Sequence, residues 1–243
     1  RGSLRVDFET RVDWRERHRL LKAAFPADLA APTLRGEVQF GHVLRPTHRN
    51  TLFERQRFEW PAQKWADLSE AGFGVAVLND CKYGWDCLDG VLRLSLLRGP
   101  VAPDPEGDLG AHEFTYSILP HGPFADGEAV RAAYELNVPV SVFPGQVGKW
   151  RTSLLPFVQA PGGGGPTVVI ESVKRSEDGA GTVVRLYEAV GGSAAGCVGG
   201  QFPFTAADEC NMIEQPLRPL RLRRDGTLSL QFRPFEVKTV VLR

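Results

Sequence analysis

The chain has 243 residues, 42% of them hydrophobic, enough to bury one large core or two modest ones without disulfide or metal staples. Lys plus Arg equals Asp plus Glu at 29 each, so no global field draws it to nucleic acid or to an anionic membrane. No apolar run approaches the roughly 20 residues of a spanning helix, and the polar start RGSLRVDFET lacks the apolar centre of a secretory signal; it reads as a strand cut from a longer chain.

Residues 4–14 alternate, with Leu4, Val6, Phe8, Val12 and Trp14 against Arg5, Asp7, Glu9, Arg11 and Asp13, which predicts a strand with one wet face. The charged run from Arg15 to Arg19 then gives way to LLKAAFP, a turn-and-return pattern suited to an antiparallel sheet. Residues 37–44 and 57–60 read as short extended segments and 72–78 as a buried strand. In 91–97, Leu92, Leu94 and Leu96 share one face while Arg93 and Ser95 take the other. In 113–119, Phe114, Tyr116 and Ile118 do the same. Between these strands Pro100, Pro103, Pro105, Gly107 and Gly110 forbid regular structure and leave Asp104, Glu106, Asp108 and His112 on a loop or sheet rim.

Residues 125–136 have a helical spacing of Ala129, Val130, Ala133 and Tyr134, with Asp126 as candidate cap, and 136–140 read as extended. From residue 144 the composition shifts, and the run PGGGGP at 161–166 marks a linker over 144–166. Beyond it 167–174, 181–190, 228–232 and 235–242 are strand candidates spaced by turns. There is no internal repeat, heptad or strand-helix-strand rhythm. The prediction is a mainly β protein: a large antiparallel β-sandwich over 1–143, the linker, and a small C-terminal β-sandwich over 167–243.

Few chemical motifs survive inspection. Cys81, Cys87, Cys197 and Cys210 are too few and too irregular for a disulfide framework and read as reduced thiols, one bridge between two of them in an exported protein being the alternative; Cys81 and Cys87 match no zinc pattern and read as small buried hydrophobes. His42 and His48 have no further ligands nearby to complete a metal set. An EF-hand register begun at Asp104 puts Leu109 where glycine belongs and Thr115 where the bidentate glutamate belongs. No serine elbow or phosphate-cradling lysine loop is present. What remains is sugar contact. Pyranose rings stack on aromatic faces and exchange hydrogen bonds with polar side chains, so Asp80, Lys82, Tyr83 and Trp85 beside the acidic loop form an edge for a saccharide. The competing reading makes Tyr83 and Trp85 part of the core rim.

The motifs LNDCKYG, LRLSLLRGP and HEFTYSILPH, with RVDWRERHRLLKAAFP and RPTHRNT before them and VRLYEA and PFEVKTVVL after, resemble the C-terminal half of a glycoside hydrolase family 38 α-mannosidase, closest to its cytosolic and bacterial branch. The resemblance implies a mutarotase-like supersandwich followed by a small sandwich. It also implies half an enzyme, since the divalent metal (zinc or cobalt), the nucleophilic carboxylate and the acid/base carboxylate belong to a preceding α/β barrel. No catalytic or metal-binding residue is expected here, and the segment alone is expected to be inactive. The loop corresponding to 103–112 is expected to lean over the barrel's sugar site. Some distant members carry a cation there, whereas this chain has Gly107 and Asp108, with His112 the nearest group able to donate a hydrogen bond to a hydroxyl. The substrate-binding expectation is therefore Asp80, Lys82, Tyr83, Asp108 and His112. The implied partners are a mannose-containing oligosaccharide and the barrel of the same polypeptide, in the cytoplasm, with a homo-oligomer left open. A stand-alone carbohydrate-binding module and a purely structural domain are the rival readings.

Overall fold

A computed structural model describes residues 3–142, 144, 155, 157–159, 167–199 and 204–243. Two compact units emerge, one of Arg1–Phe124 with Glu128–Val140 and one of Ala125–Gly127 with Ser141–Arg243. The stretch expected as a linker lies mostly outside the described residues.

The first unit contains β1 (Val6–Trp14), β2 (Leu20–Pro26), β3 (Thr33–Val38), β4 (Gly41–Pro46), α1 (Leu52–Gln56), β5 (Trp60–Pro61), β6 (Trp65–Ser69), β7 (Gly74–Asn79), β8 (Gly84–Leu88), β9 (Val91–Arg98), β10 (Gly110–His121) and α2 (Glu128–Asn137). A six-stranded sheet in the order β1-β10-β7-β6-β3-β4 and a four-stranded sheet in the order β2-β9-β8-β5 are antiparallel throughout. Period-two alternation dictates their packing. Leu34, Ala66, Leu68, Val77 and Phe114 of the larger sheet share one core with Trp85, Cys87, Leu92 and Leu94 of the smaller. Trp85 is fully buried, and its indole Nε1 donates to the Ala62 carbonyl at 3.1 Å, so burial leaves no orphaned donor. Helix α2 packs on β6, β7 and β10 through Ala129, Val130, Ala132 and Ala133, which covers the sheet's second face. That two-sided cover explains why β7 reads as a nearly continuous apolar run.

β1 pairs only with β10 among the described residues, so its outer margin is open. Leu4, Val6 and Phe8 are exposed there, the Phe8 ring stacking on Tyr116 at 5.1 Å. The alternate residues carry ion pairs, Arg5 with Asp7 and Arg11 with Glu113.

Several expectations need correction. Residues 37–44 are not one extended segment but a hairpin, because the chain turns at Gln39 and Phe40, with Phe40 at φ 58°. The apolar alternation of Val38, Phe40, His42 and Leu44 runs straight through that turn and hid it. Before 57–60 the chain forms α1, held by a capping box in which Thr51 Oγ1 accepts from Glu54 N–H at 3.2 Å and Glu54 Oε2 accepts from Thr51 N–H at 2.9 Å. Only Trp60 of 57–60 is in a strand. Helix α2 continues to Asn137, whose side-chain amide donates to the Ala133 and Asn79 carbonyls at 2.9 Å each, so the first two residues of 136–140 are helical and the rest form no strand. It begins at Glu128, two residues past the expected cap Asp126.

The second unit holds β11 (Phe157–Gln159), β12 (Val168–Arg175), β13 (Thr182–Glu188), β14 (Ala194–Val198), β15 (Ala207–Cys210), β16 (Pro216–Leu220), β17 (Leu228–Phe232) and β18 (Val237–Leu242). A three-stranded sheet, β11-β14-β17, faces a five-stranded one, β12-β13-β18-β15-β16, across a core that includes Val184, Leu186, Val198, Leu228, Phe232 and Val240. The strand β11 falls within the expected linker and is anchored by antiparallel pairing with β14. At the end of β13 the Glu188 carboxylate is wholly buried. It accepts from the N–H groups of Val190 (3.1 Å), Gly191 (2.8 Å), Gly192 (3.1 Å) and Phe235 (3.2 Å), tying one corner of this sandwich to the turn before β18. Among the described residues no helix is long and apolar enough to cross a membrane.

Candidate functional site: the rim of the large sandwich

The loop between β9 and β10 is held by its own carboxylates and by Arg17 from the turn after β1. Asp108 Oδ2 accepts from Arg98 N–H at 2.7 Å, Asp104 Oδ1 accepts from Glu106 N–H at 3.0 Å, and Arg17 Nη1 donates to the Pro105 carbonyl at 3.3 Å. His112, at the start of β10, donates from Nε2 to the Asp108 carbonyl at 2.7 Å. With Arg11, Asp13 and Glu113 it lines a shallow groove of about 470 Å³. Gly107 is demanded by packing: a Cβ there would lie 2.6 and 2.7 Å from Cγ and Cδ of Pro100. Gly107→Val is therefore expected to cost about 1–3 kcal/mol in urea unfolding. An unchanged midpoint would show that the loop yields freely.

The turn after β7 forms the second part of the rim. Asn79 is fully buried; its Nδ2 donates to the Gln63 carbonyl at 2.8 Å and its Oδ1 accepts from Lys82 N–H at 2.5 Å. Asp80 Oδ2 accepts from Thr115 N–H at 2.8 Å, which docks the turn on β10. Lys82 Nζ lies 4.4 Å from the centre of the Phe114 ring, a cation over an aromatic face. Cys81 is exposed, contrary to its reading as a buried hydrophobe, because the turn projects it outward. Cys87 is buried, and burial chiefly pushes its thiol up to about 11, which makes it unreactive.

Tyr83, half exposed, lines a different cavity of about 580 Å³ with Glu37, Gln39, Gln63, Lys64 and Asn137. Glu37 is 3% exposed; its Oε1 pairs with Lys64 Nζ at 2.8 Å and its Oε2 accepts from Lys64 N–H at 2.6 Å. Burial raises the Glu37 pKa, and Lys64 only partly opposes it. The structure thus joins Asp108 to His112, sets Asp80 and Lys82 against Thr115 and Phe114 about 10 Å further along β10, and turns Tyr83 to a third place. Trp85, offered as part of the saccharide edge, is core. The sequence missed Glu37, Gln39, Gln63, Lys64 and Asn137, which come from β3, the turn after it, the segment before β6 and the end of α2.

The arrangement can hydrogen-bond and stack. Among the described residues no group of three or more His, Cys, Asp or Glu could hold a metal ion, so the residues present do not fit a divalent metal.

Two family descriptions match the chain in order: Glycosyl hydrolases family 38 C-terminal domain over residues 1–106, and Glycosyl hydrolases family 38 C-terminal beta sandwich domain over residues 167–240. Alpha-mannosidase 2C1 of Homo sapiens is 43% identical over 242 residues, covering 98% of this chain and 23% of that protein. Alpha-mannosidase G of Dictyostelium discoideum is 39% identical, with 98% of this chain and 22% of that protein covered. The chain therefore spans under a quarter of the length of these relatives. The crystal structure of an alpha-mannosidase from Enterococcus faecalis V583 superposes with a TM-score of 0.78 over 99% of this chain and 27% of that one, at 21% identity, which establishes the shared fold.

Proposed function

From the premise that the chain belongs to glycosyl hydrolase family 38, whose C-terminal domains it carries, we propose that it is the scaffold part of a retaining α-mannosidase. The complete enzyme releases terminal α-linked mannose from oligosaccharides through a covalent glycosyl-carboxylate intermediate. The paired carboxylates and the divalent metal, zinc or cobalt, belong to a barrel in the polypeptide outside these 243 residues. The segment braces that barrel, and Asp80, Lys82, Tyr83, Asp108 and His112 border its sugar site. The observation that carries the reading is the ordered match to both C-terminal domains along the chain. Four free thiols fit work in the reducing cytoplasm.

The test compares the 243-residue chain with a longer polypeptide that includes the upstream barrel, on p-nitrophenyl α-mannoside. Turnover by the longer polypeptide alone is the expected result. Robust hydrolysis by the 243 residues, or none by either, would remove this reading.

A further inference from the structure

The cavity holding Tyr83 has a composition unlike a core defect or an ion site. Glu37 and Lys64, 2.8 Å apart, neutralise each other, so the lining offers a neutral ligand polar groups without a net charge. Asn137 spends both side-chain protons on the Ala133 and Asn79 carbonyls, which leaves its Oδ1 as a fixed acceptor. Gln39 and Gln63 add amides that can both donate and accept. Lys64 is immobilised between Glu37 and the face of Tyr134, 4.5 Å from its centre. Tyr83 contributes a half-exposed aromatic ring, and Pro61 and Ala62 supply apolar wall. Fixed acceptors, planar amides, one aromatic ring and some hydrocarbon match the hydroxyls and C–H faces of a hexose. At about 580 Å³ the space falls within the range of small-molecule sites.

Its position gives the ligand a length. Asn79 pairs with Tyr116, so the 79–83 turn lies four residues, about 13 Å, along β10 from His112. Three strand spacings separate β10 from β3 in the sheet, about 14 Å across. The cavity and the acidic loop thus lie on the order of 20 Å apart at the same end of one sheet, a distance that several linked hexoses span.

We propose that the cavity of Tyr83, Gln39, Gln63, Lys64, Glu37 and Asn137 is an outer oligosaccharide subsite, holding mannose units remote from the end that is cleaved. The identity of the sugar rests on the α-mannosidase reading; the neutral, hydroxyl-binding chemistry stands without it. Tyr83 is then a specificity residue for chain length and takes no part in bond cleavage.

The test is an NMR amide titration of the 243-residue chain with α-linked mannobiose and mannotriose. The expected result is saturable shifts at residues 37–39, 62–64, 83 and 137, with mannotriose binding weakened about fivefold or more by Tyr83→Ala, a loss of about 1 kcal/mol. Tyr83 is half exposed and ties to the fold through its backbone carbonyl, so this variant is expected to keep the parent spectrum elsewhere; Gln39→Ala is the second probe should it fail to fold. Shifts confined to 108–113, no saturable shift with either sugar, or unchanged affinity in the folded variant overturns the subsite. Any of these results beside an active longer polypeptide removes the subsite and spares the enzyme reading. Mannotriose bound in the cavity of a protein whose longer form cleaves no mannoside supports the subsite and removes the enzyme.

Discussion

Asp67→Ala is expected to lower the unfolding free energy of the large sandwich by about 3–5 kcal/mol, because it strands a buried cation. Asp67 on β6 is wholly buried, with Oδ2 2.6 Å from His121 Nε2 on β10 and Oδ1 accepting from Ser69 Oγ at 2.5 Å. Arg35 Nη1 lies 3.5 Å from Oδ1. His121, 3% exposed, also donates from Nδ1 to the Gly122 carbonyl at 2.7 Å, so an imidazolium ring has an acceptor for each of its two N–H groups. Burial by itself lowers the His121 pKa; the hydrogen bond and charge of Asp67 outweigh it and raise the pKa above the ordinary histidine value. A raised folded pKa means that the stabilisation is complete below the unfolded value of about 6.5 and is lost as pH rises through the folded pKa. Urea unfolding at pH 6 and at pH 9 should therefore show the parent losing stability over that interval, and Asp67→Ala should lack that decline. A loss under about 1 kcal/mol, or the same pH slope in both proteins, would show that the pair is not charged in the fold. Gly74 makes room for the pair: a Cβ there would strike Ser69 Oγ and come within 2.6 Å of His121 Cε1.

In the small sandwich the largest single effect is expected from Glu188→Ala, which takes one acceptor from the N–H groups of Val190, Gly191, Gly192 and Phe235 at once. Unsatisfied buried donors cost about 1–3 kcal/mol each, and water entering the gap recovers part of that, so a net loss of about 3 kcal/mol or more is expected. Glu188→Gln keeps one acceptor oxygen and should lose less. Hydrogen exchange at residues 190–192 is the direct readout, since those amides should lose protection in Glu188→Ala before the sandwich unfolds. Protection equal to the parent's would mean that the corner is held by the strands alone.

Legibility in the sequence followed locality. β1, β9 and β10 were readable because apolar and polar residues alternate along them; Leu92, Leu94 and Leu96 occupy the core, whereas in β10 the fully buried positions pass from Phe114 to Ser117, Leu119 and His121 on the opposite face. The β3–β4 hairpin was not, since its turn preserves the alternation. Helix α1 carries a local signal, Thr51 and Glu54 three residues apart, that its charged neighbours obscure. β14, β15 and β16 are short, and β16 contains two prolines, so neither length nor composition announced them. At the rim, Asp108 and His112 were within reach of reasoning because four residues separate them. Tyr83 and Trp85 are two apart, yet one lines a cavity and the other the core; only the pairing of Trp85 with Leu94 decides that. Glu37, Lys64 and Asn137 meet across a hundred residues of chain, where no spacing rule applies.

The open margin of β1 carries its own safeguard against self-pairing. If two copies zipped margin to margin antiparallel with Phe8 opposite Phe8, Arg5 would face Arg11 and Asp7 would face Glu9, like charge on like charge in both cases. Such repulsion between surface groups fades as dissolved ions shorten its range to about 8 Å at physiological ionic strength and about 3 Å at 1 M. The same ladder that keeps neighbouring copies apart in dilute buffer would therefore lose its force in concentrated salt, where the apolar face of Leu4, Val6 and Phe8 becomes the stronger influence.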